Sequence, residues 1–318
     1  MDLVTVDDVR AAAGDLTGVV LRTPLLPCRW DDQLWLKPES LQPVGSFKLR
    51  GAMHAVARLD ADRRARGVVT HSSGNHGQAL AYAARARGVS CTVVIPEGAP
   101  AAKVDQVRAL GAEVRMVAPA DRLAVAESIA ADQGRTLIPP FDDRRIIAGQ
   151  GTIGLEVLDD LPELDVLLVP VGGGGLASGV ATAVKALRPG ARVIGVEPAL
   201  AADAAESLRG GELRQWEPAR TYRTSADGLR TNLSALTFAH LRARLDGIVT
   251  VSEEEIAAAT TRLVRGARLV VEPSGAVATA ARMFHAAELP AGRTVAVVSG
   301  GNVDPAVLAA AVGRPDAG

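Results

Sequence analysis

GVVTHSSGNHGQALAYAARARGVSCTVVIP spans residues 67–96, and its rhythm decides the fold. GVVTH (67–71) is a short apolar run, SSGNHG is a polar turn, QALAYAARAR has helical period, and SCTVVIP (90–96) is apolar again. Strand, helix and strand in that order make a βαβ unit, which implies a parallel sheet covered by helices on both faces. The rhythm continues outward. APAAKVDQVRALG reads as a helix ending at Gly111, AEVRMV as a strand and RLAVAESIAADQG as a helix. Further on, DVLLVPV (165–171), ARVIGVE and TVAVVS (294–299) read as strands, and LASGVATAVKALRPG as a helix. SEEEIAAATTRLVRGA opens a helix with a capping box, Ser252 with Glu255. The expected fold is α/β in two units. Residues 67–144 form the smaller unit, and 1–66 and 145–318 fold together as the larger.

Composition narrows the partners. The chain has 318 residues, 48% of them hydrophobic, so it can bury a sizeable core. Its net charge is −1 with no long run of one sign, which argues against a nucleic-acid surface or an anionic membrane surface. Small molecules are the expected partners. Two cysteines, Cys28 and Cys91, lack metal-binding spacing and read as buried thiols in a reducing compartment. The acidic, amphipathic MDLVTVDDVRAAAGDL is unlike a secretory signal, and no apolar run approaches the roughly 20 residues that span a bilayer. A cytoplasmic location is expected.

Four stretches carry chemistry. In VPVGGGGLASG, Gly172, Gly173, Gly174 and Gly175 follow a strand and precede a helix. Without Cβ atoms their N–H groups can close around a phosphate at the positive end of the helix dipole; the alternative is a flexible turn. The run itself is not G-x-G-x-x-G and no Walker lysine follows it, so a nucleotide-dependent dehydrogenase or a nucleoside triphosphatase loses ground. HSSGNHGQA (71–79) gathers Ser72, Ser73, Asn75 and His76 at a strand-to-helix turn. It reads either as a well-capped helix start or as a receptor for a carboxylate. In QPVGSFKLRGA (42–52), Lys48 stands between Phe47 and Leu49. It is either a snorkelling lysine or an amine weakened as a base by apolar surroundings, as a Schiff-base lysine needs. In VVSGGNVD (297–304), Ser299 ends a strand, where its hydroxyl can meet a heteroaromatic nitrogen.

Together these stretches resemble the fold-type II enzymes that use pyridoxal 5′-phosphate (PLP), in the serine racemase and serine/threonine dehydratase group. GSFKLRGA, SSGNHGQA, AGQGTIGLEV, PVGGGGL, EPALAAD, SADG, EPSGA and SGGNVD occur in that family's order. The resemblance implies a two-domain fold like the β subunit of tryptophan synthase. It implies that Lys48 forms the Schiff base with PLP, flanked by Phe47, and that Gly172 to Gly175 bind the phosphate. It further implies Asn75 at the ring hydroxyl, Gly228 against the ring face opposite Phe47, and Ser299 at the pyridine nitrogen. Ser72, Ser73, Asn75 and His76 would hold the substrate carboxylate, and the smaller unit would move to close the site.

The neutral Ser299 hydroxyl suits prompt loss of a β leaving group. The implied activity is therefore β-elimination from L-serine, L-threonine or a related 3-hydroxy amino acid, giving a 2-oxo acid and ammonia. Serine racemisation is the alternative. Dehydratases of the group usually carry alanine where Ser73 stands and racemases carry serine, and Ser73 would be the acid–base group on the face opposite Lys48. A non-catalytic PLP- or anion-binding protein on the same scaffold is the rival from another class. Mg²⁺ or Ca²⁺ is implied at Glu197, Ala201 and Asp203, an all-oxygen set. A homodimer is expected, without feedback through a C-terminal regulatory domain.

Overall fold

The computed structural model describes residues 2–72, 74–99 and 101–314. The first strands are β1 (Leu26–Pro27), β2 (Leu34–Pro38), β3 (Val68–His71), β4 (Cys91–Pro96) and β5 (Glu113–Val117). They are followed by β6 (Thr136–Leu137), β7 (Val166–Pro170), β8 (Arg192–Pro198), β9 (Gly247–Val251) and β10 (Thr294–Val298). Six of them form a larger sheet in the order β1-β2-β10-β7-β8-β9, and four form a smaller one, β5-β4-β3-β6. The pairs are parallel except β1 with β2.

The central strands β7 and β10, VLLVP and TVAVV, are buried at every residue, because helices cover both faces of a parallel sheet. At the edge of the smaller sheet, β5 turns Glu113 and Arg115 outward, charges that discourage pairing with another chain. Ser252 and Glu255 do form the capping box expected of them. The helix expected to run to Gly111 spans Ala101–Ala109, and Gly111 takes φ +85° beyond its end.

Strands β1, β2, β6 and β9 are absent from the sequence reading. In β2 the reason is Lys37, a charged residue in an otherwise apolar buried strand. Its ammonium donates to Glu156 and to the Thr23 carbonyl, each at 2.6 Å. Glu156 and Glu39 also embrace the fully buried Arg50, so the four charges balance.

All four strands of the smaller sheet fall between residues 68 and 137, and the larger sheet draws strands from both sides of that stretch. The Lys48–Ala57 helix joins the two regions. Its Leu49, Met53 and Val56 share one core with Leu80 and Ile95 of the smaller sheet's layer and with Ile146. On its other side it lies against the Arg144–Asp160 helix, where a Cβ on Gly149 would come within 2.6 Å of the Gly51 Cα. Only glycines allow that approach. No helix among the described residues is long and apolar enough to cross a membrane.

Candidate active site

A cleft of about 400 Å³ opens where β3, β7 and β10 end, the usual place for a ligand in a parallel sheet. It brings together Phe47, Lys48, Ser72, Asn75, His76, Gly172 to Gly175, Gly228 and Ser299, drawn from five separate stretches of chain. Ser73 lies outside the described residues.

The glycine loop runs from the end of β7 into the Gly175–Leu187 helix. A Cβ on Gly172 would sit 2.9 Å from the Leu229 Cα, and one on Gly173 would overlap the Phe141 ring. Gly174 takes φ +86°, and its Cβ would meet Leu233 Cδ2 at 2.7 Å. Backbone alone fits here, and the first-turn N–H groups of the helix have no intrahelical partner. This makes an anion site at a positive helix end.

Lys48 is the first residue of its helix, and its Nζ donates to the Pro140 carbonyl at 2.7 Å. The Nζ lies 5.0 Å from the centre of the Phe47 ring. Burial disfavours the ammonium form and lowers its pKa from 10.5 to about 8. The Phe47 N–H donates to the Ser299 carbonyl at 3.1 Å, which ties the start of the lysine helix to the end of β10. Ser299 is 3% exposed, and its hydroxyl donates to the Ser274 carbonyl at 3.3 Å. The Ser274 hydroxyl in turn accepts the Gly228 N–H at 2.9 Å.

Asn75 opens the Asn75–Ala86 helix with both ends of its amide engaged. Nδ2 donates to Glu272 Oε1 at 2.6 Å, and Oδ1 accepts from Asn302 Nδ2 at 2.7 Å. The Ser72 hydroxyl accepts the Gly74 N–H at 3.3 Å. His76 is 2% exposed, and its Nε2 faces the Ile138 carbonyl at 2.9 Å. Burial, aided by the charge of Lys48, drives the His76 pKa down to about 3, so the ring is neutral and Nε2 carries the proton. Its side chain therefore brings no positive charge to a substrate carboxylate.

Several cleft residues carried no assignment from sequence. Pro140 and Phe141 line the cleft, with Phe141 packed against the glycine loop, and Arg122 lines the cleft as well. Lys103 pairs with Asp227 at 3.0 Å, joining the smaller sheet's Ala101–Ala109 helix to the loop that carries Gly228. Glu272 opens the motif EPSGA, and its local sequence marks no role for it. It is 5% exposed, and burial together with Asp227 pushes its pKa up to about 7.

Glu197 and Asp203 stand apart from the cleft. Glu197, fully buried at the end of β8, accepts the N–H groups of Ala204 and Ala205 at 3.1 and 2.7 Å. Asp203 Oδ2 accepts the Leu233 N–H at 3.1 Å, and Oδ1 is buried without a partner. Burial raises both carboxyls, Asp203 to about 6, and Asp203 adds to the rise at Glu197. Ala201 is fully buried between them in sequence. No group of three or more His, Cys, Asp and Glu side chains is gathered for a metal among the described residues.

A backbone cradle that admits no Cβ, a lysine amine half-neutral near pH 8 and a neutral hydroxyl fit the phosphate, aldehyde and pyridine nitrogen of PLP. A family model for pyridoxal-phosphate dependent enzymes matches residues 16–300. The chain is similar to an L-threo-3-hydroxyaspartate ammonia-lyase of Saccharomyces cerevisiae, with 39% identity over 96% of this chain and 95% of that protein. A serine racemase of Oryza sativa subsp. indica is likewise 39% identical, over 95% of this chain and 92% of that protein. Among solved structures, a threonine deaminase from T.th. superposes with a TM-score of 0.89 at 45% identity, covering 94% of this chain and 99% of that one.

Proposed function

Since the chain belongs to the pyridoxal-phosphate dependent enzymes, we propose that it eliminates water from L-serine, L-threonine or a related 3-hydroxy amino acid. The products are a 2-oxo acid and ammonia, and serine racemisation is a second activity. The observation that carries this reading is the convergence of Lys48, the glycine loop and Ser299 on one cleft. Related proteins named as lyases and racemases support an enzyme rather than a silent binding protein.

PLP, when bound, supplies the electron sink for the pair left at Cα. Gly172 to Gly175 hold its phosphate, Phe47 and Gly228 flank its ring, and Ser299 offers the pyridine nitrogen a neutral hydroxyl. Ser72 and the backbone N–H groups at the N-terminus of the Asn75–Ala86 helix receive the substrate carboxylate. Lys48, already weakened as a base by burial, takes the Cα proton. The β C–O bond then breaks, the proton that Lys48 took is given up to the departing hydroxyl so that it leaves as water, and the released enamine hydrolyses to the 2-oxo acid and ammonia. Residues 67–144 would close over the cleft as the smaller unit, and the Lys103–Asp227 pair links that unit to the loop that carries Gly228.

Racemisation needs an acid–base group on the face opposite Lys48, a role that the family resemblance would give to the serine at position 73. The test incubates the holoenzyme with L-serine, L-threonine and 3-hydroxyaspartate and follows both 2-oxo acid and enantiomer. Pyruvate formed faster than D-serine is the expected result. Ser73→Ala should keep elimination from L-serine and lose D-serine formation. D-serine outpacing pyruvate in the parent enzyme would reverse the ranking.

The same reading places Mg²⁺ or Ca²⁺ at Glu197, Asp203 and the Ala201 carbonyl, supported by the unpartnered Asp203 Oδ1 beside a second buried carboxylate. Exhaustive chelation should lower the melting temperature, and an unchanged melting curve and activity would remove the metal. A homodimer is supported by the Pro305–Gly313 helix, which carries no charged side chain and exposes Val307 and Val312. A cytoplasmic setting is supported by Cys28 and Cys91, both free and buried.

A further inference from the structure

Asn75 stands in a line of hydrogen bonds that fixes which end of its amide looks into the cleft. At one end, the Val44 carbonyl accepts from Asn302 Nδ2 at 2.9 Å, and the same nitrogen donates to Asn75 Oδ1 at 2.7 Å. A backbone carbonyl only accepts, so the Asn302 amide cannot turn round without setting oxygen against oxygen. Gly45 leaves it little room as well, since a Cβ there would lie 2.5 Å from Asn302 Oδ1. With both Nδ2 hydrogens of Asn302 committed, Asn75 must give Asn302 its oxygen and turn its nitrogen the other way. There Glu272 Oε1 accepts from Asn75 Nδ2 at 2.6 Å, again a group that calls for a donor. The Glu272 carboxyl is held in turn by the Asn302 backbone N–H, with Asp227 and Lys103 as the charged groups near it. Acceptors at both ends thus set one polarity along the whole line. An amide nitrogen carries two hydrogens; Glu272 takes one, and the other belongs to a side chain that lines the cleft.

We propose that Glu272 and Asn302 are positioning residues that lock the Asn75 amide with its nitrogen toward the cleft. Asn75 then presents a donor, never an acceptor, to the ring oxygen of PLP. This rests on the reading of Asn75 as a cofactor contact. A donor at that oxygen favours its anionic form, whereas the amide oxygen would oppose it. The line also crosses the cleft, from the smaller sheet's Asn75–Ala86 helix to the segment after β10 and to the residue before the Pro273–Phe284 helix.

The test titrates apoprotein with PLP and reads affinity and the pH response of the bound cofactor's visible absorption. Asn75→Ala comes first and should loosen PLP about tenfold or more, as loss of a hydrogen bond to a charged group does. If it binds PLP as the parent does, the cofactor role of Asn75 fails, and the inference with it. Asn302→Asp puts an acceptor where Asn75 needs a donor and turns its amide round. It should loosen PLP about as much as Asn75→Ala and shift the pH response, with no further loss in the Asn75→Ala background. Glu272→Gln, whose carbonyl still accepts from Asn75, should stay within about threefold of the parent, and Glu272→Leu should not. Parent-like affinity and pH response in Asn302→Asp, alongside a loss in Asn75→Ala, would overturn the proposal. So would independent, multiplying losses in the Asn75→Ala/Glu272→Leu pair, which would put Glu272 on the cofactor itself. That second cycle decides the matter if Asn302→Asp does not fold.

Discussion

Lys48 and Glu272 face the same cleft, and burial pushes each toward its neutral form, Lys48 to about 8 and Glu272 to about 7. Groups poised near neutral pH are what proton transfer needs. Glu272 has a measurable consequence for stability. Its pKa in the folded chain lies above the ordinary 4.5, so its contribution is fully present below pH 4.5 and is lost as pH rises through about 7. Glu272→Gln has no carboxylate to ionise. Relative to the parent, the apoprotein variant should therefore gain on the order of 1–3 kcal/mol between pH 5 and pH 8. Denaturant melts at the two pH values measure it, and an equal difference at both would show that Glu272 does not titrate in this range. Of the two residues only Lys48 was singled out in the sequence, where its apolar neighbours left two readings open and the family resemblance chose between them. The burial of Glu272 comes from segments remote in sequence, including Gly300, whose carbonyl accepts the Glu272 N–H at 3.1 Å.

The glycine loop shows how an element becomes a site. Its place between a buried strand and a helix could be read from VPVGGGGLASG, but the reason each residue lacks a side chain could not. That reason is the close approach of Phe141, Leu229 and Leu233, which arrive from other parts of the chain. Gly174→Ala forces a left-handed residue to carry a Cβ and sets that atom 2.8 Å from the Thr237 Cβ. It should cost about 1–2 kcal/mol of stability from the backbone alone and loosen PLP about tenfold. Gly190→Ala is the control, since nothing lies within 4 Å of its added Cβ. Equal PLP affinity in both variants would remove the loop from the phosphate site. Among the strands, β7 and β10 were legible as unbroken apolar runs, whereas Lys37 disguised β2 by carrying a charge that only its tertiary partners neutralise.

At the scale of the whole molecule, the cleft is a product of topology. Lys48, Asn75, the glycine loop, Gly228 and Ser299 lie far apart in the chain, yet parallel pairing brings the ends of β3, β7 and β10 to one cleft, and the Ser274 hydroxyl holds Gly228 beside them. The order of the motifs made that convergence legible through resemblance. The Lys103–Asp227 pair and the Val44–Asn302–Asn75–Glu272 line were not, because neither has a local sequence signature. The central claim is that Lys48 binds PLP covalently, and the chain offers only three other lysines, Lys37, Lys103 and Lys185. Lys37 is held by Glu156, Lys103 by Asp227 and Lys185 by Asp246. The most direct measurement is borohydride reduction of the PLP-loaded protein followed by peptide mapping. The account predicts the pyridoxyl group on Lys48 alone, and a label on Lys37, Lys103 or Lys185 with Lys48 unmodified would contradict it.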